Sequence, residues 1–596
     1  GGGPPAAEPA DAAKHFSLLS MSSNMGERVK FVRPVTPGPS NVEVWLEEVE
    51  WMMKLTIATE ITKCLEAQAT THPNLIGRVR NYPSQVALLC EMIHLTRRLE
   101  EALQYESSAP RKLREAETDV DATLSILSSN VRCSLNNSAM TSSADAPASS
   151  TTATTTASSI RITLENAITL YVAARDVIRH LLECKVIRST AFEYQCQTRY
   201  YWRPAYGRAS SSGQREQQEQ LKEVEGRTIF DALIENKEKK EKEEREERER
   251  EAAAASATTS TDDKELNEDQ MDLVNLTMMS SHVNYENEYV GSISRLVITP
   301  LSLRCQRTLV NAYHMNYGIN AVGPSGTGKT ETCKDLANSL GVNTVVTNCD
   351  ESAGSPLFSR LFRGLAETGA WCVLDEFNRI RPNIMSIVAS HITTILHAKQ
   401  HSKTLMEFEG EWIRLDQRCF ICCTGNPAGS SLYQGRTELP DNLKRMMRTL
   451  AMAVPDGERI CHVRLSCLGF TDAEHLSTKI MVVLDLAGMQ LTRRKHYEFG
   501  LRHLSSFLTI AGRLMSKSWG VGSTTTNETL SVEEVESTIC LRALWEATRS
   551  SLVDADKTTF RDVLRDVFMG YALPDTTSEE KMFVKRVKEL LNADLS

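Results

Sequence analysis

The sequence contains no long apolar run and no excess of basic residues, and both absences narrow its possible functions. None of its apolar runs approaches the roughly 18 residues that a membrane-spanning helix needs. A net charge of -9 gives no global basic field of the kind that nucleic-acid-binding proteins carry. No basic segment followed by an apolar one opens the sequence, which begins with Gly1 rather than Met, so we expect no signal peptide. We therefore expect neither a membrane nor a nucleic acid as a partner.

The 15 cysteines are scattered singly along the chain and show no disulfide framework. Cys419 and Cys422 have the spacing of a metal-binding or redox pair, and Cys423 follows them. They lie in an apolar, strand-like run with no second pair and no histidine nearby, so we expect three buried core thiols. This cysteine usage is typical of a reducing, cytosolic setting.

Composition changes along the 596 residues, a length that suggests about four domains. Residues 1–38 are rich in Gly, Pro and Ala, and we interpret them as a flexible lead. Helical spacing of apolar residues over 39–206 predicts an all-α region. Two low-complexity inserts are predicted, one of Ser, Thr and Ala at 138–159 and one dominated by charge at 207–282. The mixed-charge centre of the second insert is compatible with a solvated helix or with disorder.

From residue 283 onward, short apolar runs alternate with amphipathic segments. This alternation predicts an α/β ATPase subdomain with a parallel sheet at 283–455. The pattern then becomes helical, and we interpret 456–525 as a small lid and 526–596 as a helical connection toward a further module. The predicted strands are 318–322, 343–347, 371–374 and 419–423.

The strongest motif is Gly323-Pro324-Ser325-Gly326-Thr327-Gly328-Lys329-Thr330, which fits the G-x-x-x-x-G-K-[ST] pattern of a phosphate-binding loop. An apolar strand precedes the motif and a helix follows it, as a phosphate-binding loop requires. Glycines let backbone N–H groups wrap the phosphates, and the helix N-terminus adds partial positive charge. We expect Lys329 to reach the β- and γ-phosphates of ATP and the Thr330 hydroxyl to bind Mg²⁺. The predicted nucleotide-binding run extends to Glu331.

A second motif is Trp371-Cys372-Val373-Leu374-Asp375-Glu376, a buried strand that ends in two carboxylates. Ligands bind at this end of parallel strands. We expect Asp375 to bind Mg²⁺, directly or through water, and Glu376 to deprotonate the attacking water. A third strand ends near Asn426, whose side chain could bond the γ-phosphate or the water, although Asn-Pro alone is an ordinary turn signal.

Several strings of residues closely resemble the first AAA+ module of dynein heavy chains. The chain is therefore expected to combine a P-loop AAA+ fold, with a parallel sheet, flanking helices and a helical lid, with an all-α linker region before it. The strings that resemble the AAA+ module are 295–301, 323–336, 369–380, 435–444 and 496–502. Weaker similarity to the C-terminal part of the dynein linker lies at 42–49, 82–88, 174–177 and 192–202.

The resemblance implies roles for individual residues. Lys329 and Thr330 match the Walker A pair, and Asp375 and Glu376 match the Walker B pair. Asn426 matches the sensor-1 position.

Further positions carry implied roles outside these strands. Arg502 matches the sensor-2 arginine of the lid. Arg448 stands where such modules present an arginine to a neighbouring module's site. Ile298 and Pro300, in the segment that leads into the module, would lie near the adenine.

The resemblance also implies a function. ATP hydrolysis would swing the linker and move the motor toward microtubule minus ends. Expected partners are the other AAA+ modules, the dynein intermediate, light-intermediate and light chains, and microtubules through regions outside this chain, including a coiled-coil stalk. The expected location is the cytoplasm and cytoskeleton, with a preference for the axoneme of a cilium or flagellum. Because the sequence ends before a second P-loop, we expect a fragment.

The chain departs from the family pattern at two places near the expected sensor-1 residue. The segment between Asn426 and Gly435 is longer than expected for the family. The residues Cys422 to Gly425, just before Asn426, are also unusual for the family. Two alternatives to a hydrolysing motor module therefore stay open. One is an ATP-binding regulatory module that no longer hydrolyses, and the other is a different AAA+ remodelling ATPase.

Overall fold

The computed structural model describes most of the chain between residues 17 and 571. The described residues are 17–36, 42–70, 75–137, 153–154, 157–203, 273–352, 354–427, 436–494, 496–520, 531–571 and 586. The chain divides into a large unit, 1–201 with 274–596, and a small unit, 202–273. Only Trp202, Arg203 and Leu273 of the small unit are described. Most of both predicted inserts, the lengthened segment 428–435 and residues 572–585 lie outside the described residues.

The first half of the large unit is mainly helical, as the spacing of its apolar residues predicted. Helices α4 and α5 pack against each other through side chains such as Leu113, Val131 and Ile168, which are almost fully buried. Among the described helices of the chain, none is long and apolar enough to cross a membrane. The helices here are α1 Val42–Thr70, α2 Leu75–Asn81, α3 Ser84–Leu103, α4 Ala109–Asn137, α5 Ala157–Glu183 and α6 Phe192–Gln195.

Strands occur at three places where a loose or all-α chain was predicted, and those predictions are wrong there. β1 (Leu18–Ser22) and β2 (Arg28–Val35) form an antiparallel hairpin within the expected flexible lead, and Val29 and Val35, on the same face of β2, are buried. β3 (Ala153–Thr154), in the Ser/Thr insert, pairs with β2. A second sheet has the strand order β4, β5, β6. Strand β5 lies within the last residues of the predicted charged insert, and β6 crosses the predicted end of that insert at residue 282. Its strands are β4 Arg199–Arg203, β5 Leu273–Met278 and β6 Ser281–Asn284.

The predicted α/β subdomain is a five-stranded parallel sheet in the order β13-β7-β12-β9-β8. Its central strand, β12, is wholly buried, and Cys419, Cys422 and Cys423 are the buried thiols that the sequence predicted. The antiparallel hairpin β10–β11 stands apart from this sheet. The strands are β7 Gly318–Val322, β8 Thr344–Asn348, β9 Trp371–Asp375, β10 Leu405–Phe408, β11 Glu411–Arg414, β12 Phe420–Gly425 and β13 Met447–Ala451.

Helices cover this sheet, and a 3₁₀ turn, Phe377–Arg379, follows β9. The helix after the phosphate-binding loop stops before Gly341, whose φ of +64° a β-carbon would disfavour. The parallel sheet with flanking helices confirms the predicted fold class. The helices are α7 Pro300–His314, α8 Lys329–Ser339, α9 Ser355–Thr368, α10 Pro382–Gln400 and α11 Asp441–Met446.

The boundary expected at residue 525, between the lid and the helical connection, divides helices that share one hydrophobic core. Phe507 of the expected lid and Leu544, Phe560 and Phe568 of the expected connection are all buried in that core. Apolar periodicity marks each helix but cannot show which helices pack together. The lid helices are α12 Gly457–Cys467, α13 Ala473–Gln490, α14 Leu501–Gly520, α15 Val532–Arg549 and α16 Asp554–Val567.

The buried carboxylate of Glu536 ties α15 to the start of α13. It accepts hydrogen bonds from Thr471 N (2.8 and 2.9 Å), Thr471 Oγ1 (2.7 Å) and Asp472 N (3.1 Å). We predict that Glu536→Ala lowers the free energy of unfolding by about 1–3 kcal/mol, because buried N–H groups lose their acceptor. Denaturant titration measures this. Exposed Glu533→Ala is the control and should change stability by less than about 0.5 kcal/mol. Equal effects of the two variants would contradict the shared lid core.

Candidate ATP-binding site

The phosphate-binding loop joins β7 to α8 and leaves an open cradle. Gly326 and Gly328 have φ values of +78° and +81°, a region that favours glycine. A β-carbon at either position would meet no atom within 4 Å, so these glycines serve backbone geometry and leave room beside the loop. Gly323 differs, because a β-carbon there would lie 2.3 Å from the carbonyl oxygen of Met452. The loop therefore begins in close contact with the residue after β13.

The ammonium of Lys329 is nearly buried at the base of this cradle. Its Nζ donates to the carbonyl oxygens of Gly323 (3.0 Å) and Pro324 (2.7 Å) and to Asn426 Oδ1 (3.1 Å). Burial lowers the pKa of Lys329, and the nearby carboxylates of Glu376 and Asp375 oppose that shift. The lysine thus links the loop to the residue after β12, and its charge lies where phosphates would enter.

Three oxygen-bearing side chains meet at the end of β9. Thr330 Oγ1 donates to Asp375 Oδ1 at 2.6 Å, and Thr424 Oγ1 donates to the same oxygen at 2.5 Å. Hydroxyl and carboxylate oxygens are the ligands that Mg²⁺ prefers. The donor set therefore fits a magnesium ion, and binding of that ion by Thr330 and Asp375 stays a prediction.

Glu376 follows in a backbone conformation that only a few non-glycine residues adopt, with φ of +56°. Its N–H donates to Thr424 Oγ1 (3.2 Å), and Asn426 Nδ2 donates to its Oε1 (3.2 Å). Its Oε2 lies 2.5 Å from Arg436 Nη2 and 3.3 Å from Arg379 Nε. The side chain is 30% exposed, so this carboxylate is held on three sides at the edge of the cleft.

The lid reaches the loop through Arg502, whose Nη2 donates to Ser325 Oγ at 3.2 Å. Its side chain is 66% exposed and also lies 3.8 Å from Glu498. Glu331 is exposed on the first turn of α8, where it pairs with Lys334. Arg448 is exposed on the edge strand β13 beside the Tyr317 ring. Among the described contacts it has none with Lys329, and its role toward another module stays a prediction.

The predicted adenine residues lie on the segment before α7. Pro300 is the first residue of that helix, which Thr299 caps. Ile298 lines an apolar cavity of about 120 Å³ together with Leu336 and residues of α3 and α5. Contact of Ile298 and Pro300 with adenine stays a prediction.

Sequence reasoning missed three residues of this site. Thr424 bonds Asp375, Arg436 pairs with Glu376, and Asn378 Nδ2 donates to the backbone oxygen of Asn426 (2.7 Å). Thr424 could have been predicted, because its hydroxyl lies in an otherwise apolar strand, two residues before Asn426 and therefore on the same side of the strand. The Arg436 pairing joins residues 60 positions apart, and no local pattern marks it.

The loop, the acidic strand end and the polar residue after the central strand converge at one edge of a 5-stranded sheet that a helical lid adjoins. Nucleotides bind at this edge in open α/β folds. This arrangement is that of a P-loop ATPase module of the AAA+ class.

Comparison with known proteins gives the family. The family described as "Hydrolytic ATP binding site of dynein motor region" matches residues 285–595. Mouse dynein axonemal heavy chains 12, 3 and 1 are 30%, 30% and 31% identical over 95%, 94% and 93% of the chain. The chain belongs to the dynein heavy chain family and carries its ATPase module. It spans 15%, 11% and 10% of the lengths of those three relatives.

We predict that Gly323→Ala weakens ATP binding by about 10-fold or more, or ~1.4 kcal/mol, because the loop must move away from Met452. Titration with a fluorescent ATP analogue measures the affinity. Gly364→Ala in α9 is the matched control, since its β-carbon would meet nothing within 4 Å. That control should leave the affinity unchanged and raise stability by about 0.5–1 kcal/mol. Equal affinities for the two variants would contradict the close-approach argument.

Proposed function

We propose that this chain binds Mg-ATP at the loop described above and hydrolyses it with Glu376 as the general base. The observation that carries the proposal is the continuous network from Lys329 through Asn426 to Glu376, with the Thr330–Asp375 pair beside it. The network supports the proposal because it brings the residues proposed to bind phosphate, to bind magnesium and to act as the base to one edge of the sheet.

In the proposed reaction Lys329 exchanges its carbonyl partners for the β- and γ-phosphate oxygens. Glu376 orients a water whose oxygen bonds to the γ-phosphorus while the bond to the bridging oxygen of ADP breaks. The proton of that water passes to Glu376. Asn426 orients the carboxylate by donating to Oε1, and the lid arginine Arg502 adds positive charge beside the loop.

We assign Thr330 and Asp375 as the residues that hold Mg²⁺, with Thr424 keeping Asp375 in place. When bound, the ion neutralises phosphate charge and orients the terminal phosphates. Each of these side chains is fixed by a partner within the chain, so little ordering is needed when nucleotide arrives.

We propose further that hydrolysis moves the helical region through the segment that leads into α7. Arg295 lies at the junction of three elements. Its N–H donates to Asn166 Oδ1 of α5 (2.8 Å), its Nε donates to Asp335 Oδ1 of α8 (2.9 Å), and its carbonyl accepts from Arg464 Nη2 of α12 (2.8 Å). A shift of α8 on ATP binding would thus reach both the lid and α5.

The whole-protein function that we propose is minus-end-directed movement along microtubules. The relatives named above are axonemal heavy chains, which supports the axoneme of a cilium or flagellum as the location. Other AAA+ modules of a full heavy chain would complete the ring, and an arginine from the next module would complete this site. Intermediate, light-intermediate and light chains and the microtubule would bind regions outside this chain. We assign residues 283–455 as the large ATPase subdomain and the helices after 455 as its lid.

Glu376→Gln should preserve ATP binding and slow hydrolysis by about 10²–10⁴-fold, because the amide keeps the shape of the carboxylate but accepts no proton. Single-turnover assays with labelled ATP measure both steps. Lys329→Ala should instead remove most binding. Hydrolysis by Glu376→Gln at the unmutated rate would exclude Glu376 as the base. Binding without hydrolysis even in a chain extended through the next AAA+ module would favour the regulatory alternative.

Asn166→Ala should uncouple α5 from the nucleotide site, because Arg295 N and the Ile293 carbonyl lose their shared partner. We expect ATP to alter hydrogen exchange in α5 of the unmutated chain and to lose most of that effect in the variant. The control is Arg161→Ala, which removes an ion pair to Glu165 on the same helix. Unaltered nucleotide-dependent exchange in Asn166→Ala would contradict coupling through Arg295.

A further inference from the structure

Arg436 lies in the site although neither the motif search nor the family pattern gave it a role. Its side chain is only 7% exposed, and its Nη2 is 2.5 Å from Glu376 Oε2. Arg379 approaches the same oxygen from solvent, at 3.3 Å and with a side chain that is 52% exposed. Arg436 is therefore the buried member of the pair and Arg379 the exposed one.

The pairing occupies a carboxylate oxygen that hydrolysis needs. Asn426 Nδ2 donates to Oε1, and the two arginines face Oε2. A general base must accept a hydrogen bond from the attacking water before it takes the proton. Oε1 thus accepts a hydrogen bond, whereas Oε2 has ion-pair contacts but, among the described residues, no hydrogen bond of its own, and this is the resting arrangement of Glu376.

The residue after Arg436 is anchored to the turn that follows β9. Thr437 N and Oγ1 donate to the carbonyl oxygen of Asn378 at 3.2 and 3.3 Å. Asn378 in turn donates to the carbonyl oxygen of Asn426. Arg436 is thus attached to the same turn and strand end that carry the expected base and the sensor-1 residue.

The guanidinium also has donor capacity to spare. Among the described residues, Arg436 Nε is buried with no hydrogen-bond partner. Burial is the main cause that lowers the pKa of Lys329. The positive charge of Arg436 lowers it further, by a smaller amount. Arg436 is also linked to the phosphate-binding lysine through side-chain contacts, since Glu376 accepts from Asn426, which in turn accepts from Lys329. Phosphate oxygens accept the fork of an arginine in two parallel hydrogen bonds.

We propose that Arg436 is a γ-phosphate-binding residue that restrains Glu376 until ATP arrives. When the γ-phosphate enters, the guanidinium transfers from Glu376 Oε2 to the phosphate oxygens. Oε2 then keeps only the more distant, solvent-exposed Arg379 and can accept the proton of the attacking water. The exchange requires the γ-phosphate, so ADP leaves Arg436 on Glu376. This inference rests on the proposed ATP hydrolysis at the same site.

The test compares Arg436→Ala with the unmutated chain in three measurements on the 596-residue protein. These are the affinity for ADP, the affinity for a non-hydrolysable ATP analogue in which nitrogen bridges the β- and γ-phosphates, and the single-turnover hydrolysis rate. We expect ADP affinity to stay within about 3-fold and analogue affinity to fall about 10-fold, or ~1.4 kcal/mol. Hydrolysis should fall by about 10²-fold or more, as for other arginines that meet the γ-phosphate. Arg436→Lys should recover part of both losses.

Two controls separate this inference from neighbouring explanations. Exposed Arg381→Ala should change none of the three quantities. Arg379→Ala should leave analogue affinity intact, because that side chain meets Glu376 from the solvent side. If Arg436→Ala does not fold, Arg436→Gln is judged by the same comparison.

Two outcomes for Arg436→Ala would overturn the proposal. Equal losses of ADP and analogue affinity would make Arg436 a structural partner of Glu376. Unchanged analogue affinity and hydrolysis would leave it without a role. The proposed function itself would be contradicted if the unmutated chain did not bind ATP, or if Lys329→Ala bound ATP as tightly as the unmutated chain.

Discussion

The ammonium of Lys329 needs oxygen partners because its side chain is only 9% exposed, and burying an unpaired charge is costly. Two partners are carbonyl groups of its own loop, and the third is the amide of Asn426 after the central strand. Meeting this requirement draws the loop toward β12 and places Asn426 between the lysine and Glu376. The hydrogen bond from Asn426 Nδ2 to Glu376 Oε1 depends on that placement. Nucleotide phosphates are stronger partners than carbonyl groups, so the same arrangement is ready to exchange them.

The sequence could predict the elements of the ATPase module because each leaves a local signature. Each pattern lies within about ten residues of sequence. The patterns are the glycines that take positive φ values, the strand of buried residues that ends at Asp375 and Glu376, and the helix that ends before Gly341. The long-range partners are a different matter. Nothing local shows that Thr424 bonds Asp375 or that Arg436 faces Glu376, since these contacts arise from strand order and from the return of the chain after β12.

Predictions from composition alone were wrong where a few buried residues determine the local structure. The Gly-, Pro- and Ala-rich lead contains one stretch that forms β2, in which Val29 and Val35 are buried. The lid boundary was misplaced for another reason. Phe560 and Leu564 look like residues of any amphipathic helix, and only their packing against α13 and α15 assigns them to the lid core.

The central claim is that Lys329 and Glu376 exchange their present partners for ATP and water. A crystal structure of the chain with Mg²⁺ and a non-hydrolysable ATP analogue tests it most directly. The account predicts that Lys329 Nζ leaves the carbonyl oxygens of Gly323 and Pro324 for the β- and γ-phosphates, with Glu376 Oε2 released toward a water. An analogue bound elsewhere, or bound in the loop with Lys329 still on its carbonyl partners, would contradict the account.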